Sequence, residues 1–574
     1  MGEASIVGAW QAVTGTANGY LSGTEPWKLV AYGAATMWTI NVLQNSHRSD
    51  IGLFDDLKRR VFKLARLIPA VSKEIEKSRV KMYTDMMKEY KKPVEGEQYT
   101  PTLPKNGRPI ADVVKACQFM NDMSRQKADW SKGGCSGTVY HGGEDITSLA
   151  KEVFGMFVWE NPLHGDVFPG CVKMESEVIQ MCANLMNGKT ACGSMTSGGT
   201  ESICMAVRTH REWARETKGI QYPNIVVGVS VHVAFDKACD YYRIKIKHCA
   251  VDPATGRVDV ASMARLVDSN TIMVVGSAPS FPHGCIDDIE GIAQIARKHK
   301  IGMHVDCCLG GFIVPFMDQA GYPVKPFDFR VDGVTSMSMD THKYGYTPKG
   351  TSVVLYRNTE LRHYQYFVMD SWPGGIYATP TQAGSRPGAL AATAWASMMH
   401  FGNDGYVECA RKILQARETV QKIVVSVPGL KIVGSPDVTV LAIGSDVYDI
   451  YRMGNEMGHR GWFINQLQYP ACFHICFTYL HVEQDVIDRL VNDIKEIAND
   501  LMQDPNKKLT EGTGVIYGMA QAVPDKSIVS ELVWAYLDVQ YETRPYIEGE
   551  EECAHVSEES ADPNTPTETF VSAK

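Results

Sequence analysis

The sequence predicts an α/β fold, with a large domain built on a mostly parallel sheet covered by helices and a smaller C-terminal α/β domain. Between about residues 170 and 360, apolar β-branched runs alternate with stretches of helical periodicity. These runs are apolar on both faces, as expected for a parallel sheet that is covered on both sides. After residue 388 a second series of helices and short strands begins. An uncharged run near the N-terminus adds a membrane-anchor helix to the prediction.

The anchor helix is predicted from residues 29–46, which are 18 uncharged residues between Lys28 and His47. As a helix they would span about 27 Å, which matches the thin bilayer of the endoplasmic reticulum. Basic residues are more frequent after this run than before it, so we expect a lumenal N-terminus, with the rest of the chain in the cytosol. A secretory signal peptide would need a basic segment ahead of the run, which is missing. A helix packed on the protein remains the alternative.

Two periodicities predict the elements of the body. Short apolar runs rich in β-branched residues predict strands, and apolar positions three and four residues apart predict helices. The predicted strands of the large domain are 224–232, 271–279, 302–308, 333–339 and 351–357, with short strands near 431–444 in the smaller domain. The predicted helices are 202–216, 289–300, 388–400, 406–427 and 483–503.

From these elements we predict the domain organisation. The predicted segments are the lumenal N-terminus and membrane helix (1–46), a linker with a helical segment (47–135), the large domain (136–390), the small domain (391–547) and an acidic tail (548–574).

The composition is that of a globular protein. Of the 574 residues 44% are hydrophobic and 21% are charged, which excludes a chain that is disordered throughout. The net charge is −9, and residues 548–574 carry −7 of it, so this tail is predicted to be disordered. Because the rest of the chain is nearly neutral, it lacks the basic field that binds nucleic acid, and we expect no such partner.

The fifteen cysteines are scattered and odd in number, which indicates a reducing compartment rather than a disulfide framework. Cys472, His474 and Cys476 alternate within the apolar run ACFHICFTYL. This alternation favours a buried strand over a zinc site, because no second Cys or His pair stands at the spacing of a zinc finger. We therefore expect no metal.

Chemically useful side chains follow several predicted strands. They are the segment SGGTES (197–202), His232, Asp306 and the segment THK (341–343). Ligands of parallel α/β sheets bind at the carboxyl ends of the strands, and a Gly-rich helix start can hold a phosphate. Each feature alone has an ordinary structural explanation, such as a helix cap or a buried structural Asp. The dipeptide His-Lys also occurs at His299, at the end of a polar helix.

Taken together, these features meet the requirements of pyridoxal phosphate. This cofactor needs a lysine for covalent attachment, a carboxylate for its pyridine nitrogen, a flat group against its ring and a cup for its phosphate. Lys343, Asp306, His232 and residues 197–202 match these requirements in that order. The sequence therefore predicts pyridoxal 5′-phosphate as cofactor.

Five segments resemble a known family. They are TSGGTES, SVHVAFDKA, HVDCCLGGF, DTHKYGYTPKG and GGIYATPTQAGSRPG. The chain is similar over about residues 25–538 to the sphingosine-1-phosphate lyase family, part of the group II pyridoxal-phosphate decarboxylase superfamily of fold type I. The resemblance implies a homodimer. It also implies cleavage of sphingosine 1-phosphate and its dihydro and phyto forms at C2–C3, giving phosphoethanolamine and a long-chain aldehyde.

The resemblance also implies roles for individual residues. Lys343 would carry the cofactor and be the catalytic residue, His232 would stack on the ring and Asp306 would pair with the pyridine nitrogen. The cofactor-binding set implied by the family motifs is Gly199, Thr200, His232, Asp306, His342 and Lys343. The implied substrate-binding set is Tyr140, His164, Lys349 and Ser385.

The expected reaction is a retro-aldol cleavage of a 2-amino-3-hydroxy substrate. The base for the C3 hydroxyl is left open among Lys343 after its release, Tyr346 and the cofactor phosphate. An amino-acid α-decarboxylase acting on glutamate or an aromatic amino acid is the alternative function, because it needs the same cofactor residues. A membrane-anchored binding or scaffold protein on an inactive enzyme fold is a third possibility, against which the intact Lys343 and Asp306 argue.

Overall fold

The protein is represented by a computed structural model that describes residues 68–92, 100–127, 129–509, 517 and 526–546. It divides into two compact units, Met1–Met82 and Tyr83–Lys574. The predicted anchor (29–46) and the acidic tail lie outside the described residues. Within the described ranges, no helix has both the length and the apolar character that crossing a bilayer requires.

A seven-stranded sheet forms the centre of the second unit. Its strands are β1 (Cys192–Thr196), β2 (Asn224–Gly228), β3 (Lys245–Cys249), β4 (Thr271–Ser277), β5 (Gly302–Asp306), β6 (Ser336–Met339) and β7 (Ser352–Tyr356). Their order across the sheet is β1-β7-β6-β5-β4-β2-β3. Strands β2 to β6 pair in parallel, whereas β7 runs antiparallel to both β1 and β6. The prediction of a mostly parallel sheet is confirmed.

Fourteen helices lie within the described residues of the two units. They are α1 (Pro69–Tyr90), α2 (Ile110–Lys127), α3 (Glu144–Met156), α4 (Pro169–Leu185), α5 (Gly199–Lys218), α6 (Ala234–Tyr242), α7 (Val260–Leu266), α8 (Ile289–His299), α9 (Met317–Ala320), α10 (Thr359–His363), α11 (Gly388–Val424), α12 (Ile450–His459), α13 (Gln484–Gln503) and α14 (Lys526–Tyr541). Short 3₁₀ turns lie at Trp130–Lys132, Val314–Phe316 and Tyr479–His481.

Alternate residues of the strands face two apolar layers. On one face Val226, Val274 and Val305 belong to the same buried cluster as residues of α4 and α8. On the other face Ile225 and Val227 belong to a cluster with residues of α5 and α6. Since the side-chain period of a strand is two, this double burial explains why the strands read as continuous apolar runs.

A smaller antiparallel sheet follows in the chain. It consists of β10 (Lys431–Ile432), β11 (Val440–Gly444), β12 (Asn465–Leu467) and β13 (Cys472–Cys476), in the order β10-β11-β13-β12. Strand β13 confirms the strand prediction for the alternating Cys and His residues. The ring nitrogens of His474 bond to Asn465 and to the carbonyl of Pro282. The fourteen cysteines in the described ranges are all free thiols.

A two-stranded hairpin, β8 (Phe367–Trp372) and β9 (Gly375–Thr379), stands apart from both sheets. Every residue of β8 and all of β9 except Thr379 are exposed. Such a hairpin is marginally stable alone, so this element requires further contacts.

The structure corrects the predicted element boundaries at several points. The strands end earlier than predicted: β2 ends at Gly228, and β4 ends before Pro279, whose nitrogen has no hydrogen to donate to a ladder. Strand β1 was not predicted, because its residues CGSMT have low strand propensity. The two helices predicted at 388–400 and 406–427 form α11, which is interrupted at Gly402 with φ 57°. The domain boundaries stay a prediction.

Candidate active site

The carboxyl ends of the parallel strands bring the predicted cofactor residues to one edge of the large sheet. Asp306 is the last residue of β5, His232 follows β2, and Lys343 follows β6. Strand β1 has the same direction as β6, because both are antiparallel to β7. The helix start at Gly199 therefore lies at this edge as well.

Lys343, which is partly buried, forms an ion pair with the buried Asp340. Its Nζ lies 2.9 Å from Oδ2 of Asp340, which is 2% exposed. Burial alone would lower the pKa of Lys343, but the Asp340 carboxylate outweighs burial and holds the pKa of the amine above its ordinary value. The other oxygen of Asp340, Oδ1, is buried without a hydrogen-bond partner among the described residues. Asp340 thus keeps Lys343 protonated before any cofactor is attached.

Asp306 is a buried carboxylate that remains ionised. Burial raises the pKa of Asp306, yet the charge of His232 and the N–H of Cys308 together bring the pKa below its ordinary value. The N–H of Cys308 and the hydroxyl of Ser338 both donate to Oδ1, at 3.0 and 3.2 Å. A buried anion held in this way suits a protonated pyridine nitrogen.

His232 is held by its own loop and by one aromatic neighbour. The N–H of Ala234 donates to Nδ1 of His232 at 3.1 Å. The ring of Phe281 meets the His232 ring edge to face, with 6.2 Å between centroids. His232 also lies close enough to Asp306 for their charges to interact. Both residues therefore border one space, as a ring-stacking group and a nitrogen partner must.

The start of α5 packs against the Lys343 loop without room for side chains. A Cβ on Gly199 would lie 2.9 Å from both oxygens of Asp340 and 2.8 Å from Sγ of Cys308. A Cβ on Gly198 would lie 3.3 Å from His342, whose Nδ1 accepts a hydrogen bond from the N–H of Thr351. Gly198 precedes the helix and has no side chain to cap it. The N–H groups of this turn are therefore suited to an anion.

Tyr140 and Lys349 line an open cleft of about 590 Å³ beside Lys343. The Nζ of Lys349 lies 4.6 Å from the centre of the Tyr140 ring, a cation–π contact. Partial burial and the charge of Lys343 lower the pKa of Lys349 to about 8. Burial and the neighbouring Cys476 raise the pKa of Tyr140. Both side chains therefore line the same cleft as Lys343.

His164 and Ser385 form a separate, exposed group. Asn161 joins them: its Nδ2 donates to Oγ of Ser385 at 3.1 Å, and its carbonyl accepts the N–H of His164 at 3.0 Å. The described contacts do not join this group to Lys343 or Lys349. Their role as substrate-binding residues stays a prediction, and so does the cofactor-binding role of Thr200, which is exposed.

Sequence reasoning missed Asp340 and left Tyr346 open as a candidate base. Asp340 stands three residues before Lys343 in the same motif, but only the fold shows that its carboxylate turns back to the amine. Tyr346 lies in an aromatic group with His141 and Phe401, and burial raises the pKa of its hydroxyl well above the ordinary value. An ionised Tyr346 is therefore disfavoured.

The residues at this edge fit pyridoxal phosphate. The arrangement provides a lysine, a buried carboxylate, an imidazole and a side-chain-free helix start, and the unpaired Oδ1 of Asp340 marks a polar surface beside them. Lys343, Asp306, His232 and the turn at Gly199 would hold the cofactor.

Comparisons with known proteins show which family the chain belongs to. The family described as pyridoxal-dependent decarboxylase conserved domain matches residues 109–443. The chain is 43% identical over 535 residues to sphingosine-1-phosphate lyase 1 of Mus musculus, covering 93% of each chain. It is 39% identical over 504 residues to the sphingosine-1-phosphate lyase of Saccharomyces cerevisiae, covering 87% of this chain and 85% of the yeast protein.

Solved structures show the same fold. The sphingosine-1-phosphate lyase of Burkholderia pseudomallei has a TM-score of 0.69 at 37% identity, covering 71% of this chain and 94% of its own. Glutamate decarboxylase of Lactobacillus brevis has a TM-score of 0.61 at 19% identity, covering 73% and 99% of the two chains, which shows the fold alone.

The Asp340–Lys343 pair predicts how the apoprotein takes up its cofactor. Attachment to the aldehyde needs an unprotonated amine, and Asp340 raises the pKa of that amine. In Asp340→Asn the pKa of Lys343 should fall, so the rate of cofactor uptake should reach its plateau at lower pH than in wild type. The absorbance of the attached cofactor, followed after mixing at a series of pH values, measures this rate.

Asp328→Asn is the matched control, because Asp328 is 1% exposed and pairs instead with Arg330. It should leave the pH profile of uptake unchanged. A profile for Asp340→Asn that coincides with wild type would contradict the role given to Asp340.

Proposed function

Because the chain belongs to the sphingosine-1-phosphate lyase family, which shares the pyridoxal-dependent decarboxylase fold, we propose that it cleaves phosphorylated sphingoid bases between C2 and C3. The products would be phosphoethanolamine and a long-chain aldehyde. The observation that carries this proposal is the pair of lysines lining one cleft. Lys343 marks the position of the substrate amine, and Lys349 provides a second cation for the substrate phosphate.

Pyridoxal phosphate, when bound, would take up the substrate amine and accept the electrons of the breaking C2–C3 bond. The residues of the chain would supply the rest. Asp306 would hold a proton on the pyridine nitrogen through its ionised carboxylate. His232 would hold the ring in place, and the helix start at Gly199 would bind the cofactor phosphate.

Lys343 would also move the proton that the cleavage requires. The reaction removes a proton from the C3 hydroxyl and adds one at C2, so a single group can serve both steps. Released from the cofactor as a free amine, Lys343 would be a strong base, because Asp340 raises its pKa. After accepting the hydroxyl proton it would pair with Asp340 and then donate to C2. The raised pKa of Tyr346 favours Lys343 over Tyr346 as the C3 base.

We further propose a homodimer, for which the hairpin β8–β9 is the support. It exposes Val368, Trp372 and Ile376, the last at 81%. Contiguous apolar surface of this kind is typical of a protein interface. A second copy of the chain is the partner that the family implies.

The membrane anchor at residues 29–46 and the location in the endoplasmic reticulum are also proposed, and their support is the sequence alone. A long-chain substrate partitions into membranes, so tethering would raise its local concentration at the site. Full-length protein should stay with the membrane pellet after carbonate washing, and a chain starting at residue 47 should not. Recovery of the full-length chain in the wash would contradict the anchor.

The first experiment tests the reaction itself. Purified protein loaded with the cofactor should convert sphingosine 1-phosphate to a long-chain aldehyde, detected by mass spectrometry. Lys343→Ala should lose both the attached-cofactor absorbance and the aldehyde. Glutamate and tyrosine are assayed in parallel for carbon dioxide, and carbon dioxide without aldehyde would replace the lyase proposal with an α-decarboxylase.

Lys349 predicts a pH dependence of substrate binding. As a phosphate-binding cation it must be protonated, and its pKa is lowered to about 8. The substrate phosphate is already a dianion above pH 7, since its second pKa is about 6. We therefore expect kcat/KM to fall as pH rises through about 8, mainly through a rise in KM.

Lys349→Arg keeps the charge at all these pH values and should remove the fall. Lys349→Met should raise KM about tenfold or more at pH 7, the usual effect of losing one charge-assisted bond. A rise in kcat/KM through pH 8 would instead make Lys349 a base.

The hairpin predicts the oligomeric state. Sedimentation equilibrium of wild type should give twice the mass of one chain. The double variant Val368→Glu, Ile376→Glu should sediment as a monomer, because it places charges within the apolar interface. Tyr222→Glu is the control, since Tyr222 is 87% exposed outside the hairpin. A wild-type monomer with full activity would contradict the dimer.

A further inference from the structure

A chain of hydrogen bonds runs through the core behind Asp306. Strands β5 and β6 are parallel neighbours in which His304 pairs with Ser336 and Asp306 pairs with Ser338. The ring of His304 bonds to both serines, at 2.8 Å from Nδ1 to Ser336 Oγ and 3.1 Å from Nε2 to Ser338 Oγ. Ser338 Oγ in turn lies 3.2 Å from Oδ1 of Asp306. His304 and both serines are fully buried.

The chemistry of the groups fixes the direction of these bonds. An ionised Asp306 can only accept, so the hydroxyl of Ser338 must donate to it. The Ser338 oxygen then accepts from Nε2–H of His304. Burial lowers the pKa of His304 to about 3, so the imidazole is neutral and carries its single hydrogen on Nε2. Its Nδ1 accepts from the hydroxyl of Ser336.

We propose that His304, acting through Ser338, is a positioning residue that orients the Asp306 carboxylate and so sets the protonation of the cofactor's pyridine nitrogen. The two donors to Asp306, Ser338 and the N–H of Cys308, reach the same oxygen, Oδ1. They fix the rotation of the carboxylate so that Oδ2 is presented to the cofactor. This inference rests on the cofactor given in the proposed function and is independent of the substrate.

The surroundings argue for more than core packing. On the sheet face that this chain of hydrogen bonds occupies, its neighbours include Val275, which pairs with His304, and Phe235, whose ring centroid lies 5.8 Å from that of His304; both are fully buried. A polar group in such a place costs free energy unless it is bonded, and three polar groups in one line are costly to retain. This chain of hydrogen bonds ends on Asp306, whose carboxylate interacts with the charge of His232. Its geometry therefore serves Asp306 rather than the strand pairing, which the backbone already provides.

The decisive measurement is the nitrogen-15 NMR shift of the pyridine nitrogen in holoenzyme loaded with pyridine-labelled pyridoxal phosphate. In wild type we expect the shift of a protonated nitrogen. In Ser338→Ala and in His304→Leu the Asp306 carboxylate is no longer held in the orientation that accepts from the pyridine nitrogen. We therefore expect this nitrogen to lose its proton at lower pH, with its protonation constant reduced about tenfold or more, the usual effect of losing a hydrogen bond to a charged group. Ser338→Thr keeps the hydroxyl and should restore the wild-type shift.

His210→Leu is the matched control. His210 is also fully buried beside this sheet, and its ring bonds to Thr335 Oγ1 and the carbonyl of Ala206 instead of to the Asp306 chain. A purely structural role would make the His210 and His304 variants alike. Unchanged nitrogen shifts in Ser338→Ala and His304→Leu, or an equal change in His210→Leu, would overturn the proposal.

A measurement on wild type keeps the proposal testable if a variant fails to bind the cofactor. Holoenzyme labelled with nitrogen-15 histidine should show His304 neutral and protonated on Nε2. A ring without a hydrogen on Nε2 would overturn the proposal, because His304 could then not donate to Ser338. Neither experiment uses the lyase reaction, so absence of aldehyde product would refute the proposed function without changing these results.

Discussion

The buried carboxylate of Asp306 is the interaction on which the candidate site depends. Its charge is stable inside the protein because His232, Cys308 and Ser338 surround it with donors and positive charge. Cys308 follows Asp306 in the chain, Ser338 comes from the neighbouring parallel strand β6, and His232 follows β2. The strand order of the large sheet therefore determines which groups surround the Asp306 carboxylate, because these groups lie at the ends of different strands.

A second buried carboxylate, Asp340, pairs with the candidate catalytic lysine. Asp306 accepts hydrogen bonds from fixed donors, whereas Asp340 pairs with Lys343, a group that must change its partner when the cofactor binds. The site therefore combines Asp306, whose hydrogen-bond donors stay the same, with Asp340, whose cationic partner changes when Lys343 takes up the cofactor. Lys349 adds a third charge whose protonation changes near neutral pH. Proton movement at this site can proceed through the chain's own residues.

Much of the fold was predictable from the sequence, because strands buried on both faces produce continuous apolar runs. Strands β2, β4, β5, β6 and β7 were located in this way. Strand β1 was not, since its glycine and serine have little strand propensity and are held by pairing with β7. The hairpin β8–β9 was also missed, because its residues pack on neither sheet and lack the pattern of a half-buried strand.

The site was predictable where one motif places a residue directly at a strand end, as for Asp306 and Lys343. It was not predictable where the contact depends on how a loop turns back. Asp340 shares the Lys343 motif, yet its contact with the amine appears only in three dimensions. The chain from His304 to Asp306 depends on the register of two strands that are about 30 residues apart, which periodicity does not contain.

The close packing of Gly199 has a consequence for redesigning this protein. A Cβ at residue 199, which lies in the turn proposed to bind the cofactor phosphate, would stand 2.9 Å from both carboxylate oxygens of Asp340, so a methyl group has no space there. A substitution meant to loosen or tighten the hold on the cofactor would push Asp340 away from Lys343. Cofactor retention and the basicity of the catalytic amine are therefore mechanically coupled, and directed evolution that selects for one will alter the other.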